Sequence, residues 1–179
     1  MPKVIENLRT TILEEAKAEL ADKGYGDLTV RQIASKCNIA VGTVYNYFKS
    51  KDVILGVILG EDWHNVLSSM DESIGRSHSV HEGLCIVADG LEGFCSRYSR
   101  LWSEYRRTES SDYYSRNGHQ MLLNALMPRV GVILDRNQVE REEGLCRILC
   151  EAMIGLATHG ESYKDSAHII ERMIEKDKH

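Results

Sequence analysis

Proline stands at only two of the 179 positions, Pro2 and Pro128. A proline inside a helix removes a donor and clashes with the turn before it, so its rarity leaves nearly the whole chain free to be helical. The apolar residues take up that freedom. Ile5, Leu8, Ile12, Ala16 and Leu20 recur every three or four positions, as do Leu84, Val87, Ala88, Leu91, Cys95 and Tyr98. Such spacing buries one face of a helix. No segment alternates at the period of two that predicts a strand, and no repeat is visible. The expected fold class is all-α.

Punctuation divides this pattern into helices. Gly24 ends the first with a residue able to turn left-handed, and Tyr25 is placed to fold back as an apolar plug. Thr29 and Gln32 form a capping-box pattern that opens a second helix, with Ile33, Ala34 and Cys37 inward. That helix stops near Asn38, which tolerates a left-handed backbone. A third runs from about Val41 to Phe48. Ser50 caps a fourth that reaches about Met70, with Val53, Ile54, Val57 and Ile58 inward. The stretch "DESIGRSHSV" breaks the pattern, after which Ser79 and Glu82 make a second capping box. A further break falls at "TESSDYYSRNGH". Helices are then expected over about Gly118–Leu134, bent or divided at Pro128, and about Gln138–Thr158. The last helix buries Tyr163, Ala167, Ile170 and Ile174.

Composition excludes several classes. With 42% apolar and 27% charged residues the chain is an ordinary globular one, of one domain or a small module fused to a larger. No apolar run approaches the ~18–20 residues that span a bilayer, so no membrane partner is expected. The charged, amphipathic beginning has no export-signal core, which points to the cytoplasm. Five cysteines (Cys37, Cys85, Cys95, Cys146 and Cys150) are expected as reduced thiols. Cys146 and Cys150 are near enough in helical register to touch, but no CxxC supports a structural zinc. The paired His78 and His81 lack a third ligand, and HExxH, HxxEH, GxSxG and a Ser-His-Asp order are all missing. The expectation is no metal, no cofactor and no catalytic residues; the chain does not read as an enzyme.

One segment carries chemistry of its own. Leu28 to Lys51 holds Arg31, Lys36, Lys49 and Lys51 and no carboxylate, in a chain of net charge -5, so the other residues carry -9. Two short helices, a tight turn and a hydrophobic support helix describe a helix-turn-helix, whose second helix enters the DNA major groove. Ile33, Ala34, Cys37, Ile39, Val44 and Phe48 fit the small core between the helices. Arg31, Val41, Gly42, Thr43, Tyr45, Asn46, Tyr47, Lys49 and Lys51 are left to point outward. Hydroxyls and lysines there bond phosphate oxygens, and carboxylates would be repelled by them.

On these residues the chain resembles a known family. Ala16, "KGY", "LTVRQIA", "GTVYNYF" and "KSKDVIL" within Ile12–Leu59 look like the N-terminal domain of TetR/AcrR-type transcriptional regulators. The resemblance implies a helix-turn-helix in the second and third helices, over residues 1–50, and a helical effector-binding and dimerisation domain over 51–179. It implies a homodimeric repressor released from a palindromic double-stranded operator by a small molecule. Carried across by position, Thr29 anchors the second helix on a phosphate and Arg31 reaches a base or phosphate. Val41, Gly42 and Asn46 then face bases, while Thr43, Tyr45, Tyr47 and Lys51 hold the backbone. Two positions depart from the pattern: Asn38 replaces the usual turn glycine, and Ala40 replaces a capping serine or threonine, a loss of typically ~1 kcal/mol. With no side-chain hydrogen bonds from Val41 or Gly42, methyl contacts and DNA shape are expected to carry much of the specificity.

Beyond Lys51 the residues suggest surfaces rather than a ligand. Phe94, Tyr98, Trp102 and Tyr105, with Trp63, Met121, Leu122 and Met153, are candidates to line a pocket for an apolar or aromatic effector. The plain alternative is ordinary core. Leu145, Leu149, Ala152 and Leu156, with Ile170 and Ile174, are candidates for an intersubunit bundle, or for their own core. The competing function is a helical small-molecule-binding or hydrolytic protein whose N-terminal motif is only structural. A steep dependence of DNA affinity on salt separates the two.

Overall fold

A computed structural model describes residues 7–105, 111–140 and 144–175, excepting the side chains of 102, 104, 105, 111–117, 171, 173 and 175. Among the described residues all regular structure is helical: α1 (Leu8–Lys23), α2 (Val30–Lys36), α3 (Val41–Tyr47), α4 (Lys51–Arg76), α5 (Val80–Arg97), α6 (Ser99–Tyr105), α7 (Ser111–Arg136), α8 (Leu145–His159) and α9 (Tyr163–Glu175). The chain forms two compact units, Met1–Trp63 and His64–His179, and passes from one to the other within α4.

In the first unit, Ile12, Leu13 and Ala16 of α1 pack with Leu28, Val30, Ile33, Ala34 and Cys37, with Val44 and Phe48, and with Ile54 and Ile58 of α4. Ile39 and Val57 sit at its margin, partly buried. Val53, expected inward, is exposed, and Leu55 is buried in its place. The inward stripe of α4 centres on Ile54 and Ile58, and Val53 lies one residue off it. Gly24 ends α1 at φ 80°, ψ 178°, with its N–H on the Leu20 carbonyl at 3.0 Å. The expected left-handed helical turn is thus an extended positive-φ one, a region essentially closed to side-chain-bearing residues.

A buried charge joins α1 to α2. The Glu19 side chain is only 6% exposed, with the Lys23 ammonium at 2.6 Å and that of Lys36 at 3.6 Å. The hydrogen bond from Lys23 holds the Glu19 carboxyl below the usual carboxylate range, against the opposing effect of burial, and the same bond raises the Lys23 ammonium. A carboxylate whose pKa is lowered on folding stabilises the fold above its unfolded value, and that gain fades as pH falls through the lowered one.

In the second unit, α7 and α8 pack on each other and on α5, and α9 packs on α5 and α8. Several expected boundaries shift. Helix α4 continues through Asp71–Arg76, because Ile74 extends the buried face of Met70. Helix α7 begins at Ser111 and runs through Pro128 as one helix. Helix α8 begins at Leu145, not Gln138, since Gln138 has φ 58° and Gly144 φ 102°, neither helical. Ser79 caps α5 as expected, accepting the Glu82 N–H at 3.1 Å, but the Glu82 carboxylate takes the N–H of His78 instead of Ser79. Glu92 accepts the Tyr163 N–H at 2.7 Å and so fixes the start of α9. All five cysteines are free thiols, and burial raises the pKa of Cys37, of Cys95 and of Cys150, the last to about 12.

The crossing of α5 and α7 is close. A Cβ built on Gly83 would lie 2.7 Å from Ile133 Cγ2, and Ile133 is itself 1% exposed and β-branched. Gly83→Ala is therefore expected to destabilise by about 1–3 kcal/mol, as overpacking of a filled core does, measured by urea unfolding. For the first unit, Glu19→Gln is expected to lower the melting temperature at pH 7. The gap from the parent should shrink as pH falls through the lowered Glu19 value, where the carboxylate gains its proton.

Candidate nucleic-acid interface

The outward face of the first unit is built from its helix ends. Thr29 sits extended at the start of α2; its hydroxyl accepts the Gln32 N–H at 3.2 Å, and Gln32 Oε1 takes the Thr29 N–H at 2.8 Å. The reciprocal capping box is complete, and the Thr29 hydroxyl also lies 2.6 Å from Gln32 Oε1. At the other end of α2, Asn38 adopts φ 54°. Its N–H reaches the Ser35 carbonyl at 3.1 Å and that of Ile39 reaches Ala34 at 3.0 Å, the pair of bonds that reverses a chain after a left-handed residue. Asparagine does here what the sequence pattern assigns to glycine.

Ala40 precedes helix α3, extended at φ -70°, ψ 145°, and supplies no side-chain cap. Val44 is fully buried and anchors the helix from below, with Phe48 just beyond it 2% exposed. Gly42, Asn46, Tyr45 and Tyr47 are exposed, the two tyrosines at 49% and 48%, while Val41 and Thr43 are half-buried. Positions 42, 45 and 46 share a face by their spacing of three and four, and 43 and 47 flank it. At 1.5 Å per residue α3 is roughly 10 Å long, in proportion to a major groove ~12 Å wide.

The four cations of the segment are not equivalent. Arg31 and Lys49 are exposed. Lys36 faces the Glu19 carboxylate, so part of its charge is answered within the fold. Lys51 is half-buried: its Nζ donates to the carbonyls of Tyr25 at 3.1 Å and Leu28 at 3.4 Å, and lies 4.1 Å from the centre of the Tyr25 ring. Tyr25 is no apolar plug; its hydroxyl donates to Asp52, and its ring receives the ammonium. A second cation–ring contact sets the Arg9 guanidinium 5.4 Å over Phe48. Reading the sequence for the outward face missed Tyr25, Asp52 and Glu19. The adjacent opposite charges Lys51 and Asp52, at a helix start, were the available signal for the first two.

The pocket candidates divide. Trp63 is buried in the first unit. In the second, Phe94, Tyr98 and Met153 are buried, and the Phe94 and Tyr98 rings pack at 5.2 Å. Leu122 is half-buried and Met121 is 47% exposed, turned from the Leu123, Leu126 and Val130 stripe that α7 buries. The side chains of Trp102 and Tyr105 lie outside the described residues. A depression of about 380 Å³ in the second unit is lined instead by Asp71, Ile74, Gly75, Pro128, Arg129, Val132 and Arg136. Of the dimer candidates, Leu149, Ile170 and Ile174 are buried in their own unit, and Leu145, Ala152 and Leu156 are half-buried. Ile148 of α8 and Ile169 of α9 are exposed, at 56% and 57%. Among the described residues no three His, Cys, Asp or Glu side chains gather as a metal site, and no helix is long and apolar enough to cross a membrane.

Residues 12–58 match the family model described as bacterial regulatory proteins, tetR family. The HTH-type transcriptional regulator HbdR of Aromatoleum sp. (strain CIB) is 35% identical over 89 residues, which cover 47% of this chain and 37% of that protein. The chain thus spans under two-fifths of that relative's length. Among solved structures, a TetR-family transcriptional regulator from Syntrophomonas wolfei superposes with a TM-score of 0.64 at 18% identity, over 95% of this chain and 92% of that one. FadR from Bacillus subtilis, solved in complex with stearoyl-CoA, gives 0.61 at 20% identity, over 84% and 86%. At these identities the likeness is one of fold.

The bare start of α3 yields a direct expectation. Ala40 already has the extended backbone of a capping residue, so Ala40→Ser supplies a hydroxyl for the N–H groups of Gly42 or Thr43. The variant should gain about 1 kcal/mol in chemical denaturation of the first unit.

Proposed function

We propose that this chain, whose residues 12–58 match the model of the tetR family of bacterial regulatory proteins, is a DNA-binding transcriptional regulator. In this reading it is a homodimeric repressor that leaves a palindromic operator when a small molecule binds its second unit. The observation that carries the reading is the exposed, carboxylate-free face of α3, within the residues that match the family.

The groups of this face divide the work. Gly42 and Val41 let α3 approach the floor of the groove and meet thymine methyls, while the Asn46 amide is the side chain able to pair with a base edge. Tyr45, Tyr47 and Thr43 donate hydroxyls to phosphates beside the groove, and Arg31 reaches a phosphate or base from α2. Thr29 serves the backbone after rotating its hydroxyl from Gln32, or through the α2 start that it caps. Two such faces related by a two-fold axis fit half-sites about one DNA turn apart, ~34–36 Å. Exposed Ile148 and Ile169, with half-buried Leu145, Ala152 and Leu156, support self-association through α8 and α9. The effector proposed is apolar, aromatic or amphipathic; the stearoyl-CoA bound by Bacillus subtilis FadR is of the last kind. Release follows when the effector favours a form that fits the operator less well, by no more than its difference in affinity for the two forms.

Selection of genomic fragments on the purified chain tests this, with the enriched duplex titrated at several salt concentrations. Binding should weaken steeply with salt, log K falling by about 0.9 per phosphate neutralised for each decade. Tyr45→Ala should lose about tenfold or more on every duplex, as expected for a hydrogen bond to a charged group worth about 1.5–3 kcal/mol. Asn46→Ala should also change which base is preferred, by about 1–3 kcal/mol of discrimination. Unchanged affinity in both variants would contradict the assignment of this face.

A further inference from the structure

We propose that Lys51 sets DNA affinity as a positioning residue that clasps the two ends of the helix-turn-helix, and not as a ligand of phosphate. The inference rests on the DNA-binding reading above and changes the role that position alone would give this lysine.

The recognition element runs from the Thr29 cap to Phe48. Leu28 leads into it and Lys51, the first residue of α4, leads away from it. The Lys51 ammonium spans the gap, bonding the Leu28 carbonyl at 3.4 Å and the Tyr25 carbonyl at 3.1 Å. Two of its three N–H donors are thereby spent on its own chain. The charge rests on the Tyr25 ring face at 4.1 Å, and Asp52, next in sequence, receives that tyrosine's hydroxyl. Two carbonyls and a ring face make a cation site inside the first unit, in which Lys51 is half-buried.

Reaching a phosphate would cost these contacts, so the exchange yields little net attraction. Holding them has a clear effect. The Leu28 carbonyl belongs to the peptide that joins Leu28 to Thr29, so Lys51 fixes where α2 starts, and α2 packs directly on α3. Without the clasp the start of α2 is free to move, and DNA must then order it. That cost appears in affinity but releases no counterion.

Salt dependence separates the two roles. The full chain is titrated with its enriched duplex between 50 and 200 mM salt, as the parent and as Lys51→Met, Tyr25→Leu and, for comparison, Lys49→Met. Lys51→Met and Tyr25→Leu are expected to bind about fivefold or more weakly at every salt, with the slope of log K against log salt unchanged. Lys49→Met, which removes an exposed cation, should flatten that slope by about 0.9. A flattening of that size for Lys51→Met, or parent-like affinity for Tyr25→Leu, overturns the proposal. Amide hydrogen exchange in the free protein supplies a readout independent of DNA. Gln32, Ile33 and Ala34 should exchange faster in Lys51→Met, with the interior amides of α1 protected as in the parent, which also shows that the first unit of the variant folds. Unchanged exchange at those three amides overturns the clasp. Failure of the parent to bind any duplex at low salt would instead remove the DNA-binding reading, leaving the exchange result to judge the clasp.

Discussion

Seven residues do not make a stable helix in water, and α2 and α3 have seven each. Nucleation costs too much for so few hydrogen bonds, so both depend on what they bury. Ile33 and Ala34 from one, and Val44 and Phe48 from around the other, must reach Ile12, Ala16, Ile54 and Ile58 on the longer helices beside them. Every outward-facing group of the first unit takes its position from that small core. The polar arrangements at the helix ends then refine it. The Thr29–Gln32 box fixes one end of α2, Asn38 turns the chain at the other, and Glu19 holds α2 to α1 through Lys36.

The division of labour among charges follows from the same packing. A count of basic residues treats Arg31, Lys36, Lys49 and Lys51 as equals, but only a lysine whose ammonium stands in solvent adds its whole charge to an attraction for a polyanion. Lys36 and Lys51 reach back to partners on their own chain. The absence of carboxylates between Leu28 and Lys51 therefore matters more than the number of cations. It leaves the tyrosines and the Asn46 amide of α3 with no carboxylate in their own segment.

Much of this was legible from residue order because local rules and tertiary packing agree. Thr29 with Gln32, Asn38 at the turn, bare Ala40, and the buried Tyr163, Ala167, Ile170 and Ile174 of α9 all follow from chemistry within a few positions. Reading failed where a distant partner decides. Asp71–Arg76 looks like a loop, yet stays helical because Ile74 has a core to enter and Asp71 meets Arg129 at 2.6 Å. Val53 reads as inward until the phase of α4 is fixed by Ile54 and Ile58. The aromatic residues of the second unit show the same limit. Phe94 and Tyr98 are equally suited to a cavity wall and to a packed core, and their burial, with rings 5.2 Å apart, fits both.

The thiols give the molecule a built-in report on its own opening. A cysteine reacts as its thiolate, and burial both encloses Cys37 and Cys150 and raises their pKa. An alkylating reagent therefore reaches them at a useful rate only when the surrounding helices part. Cys37 belongs to the core beneath α2 and α3 and Cys150 to the second unit, so the order in which these two sulfurs are alkylated would time the loosening of each half separately.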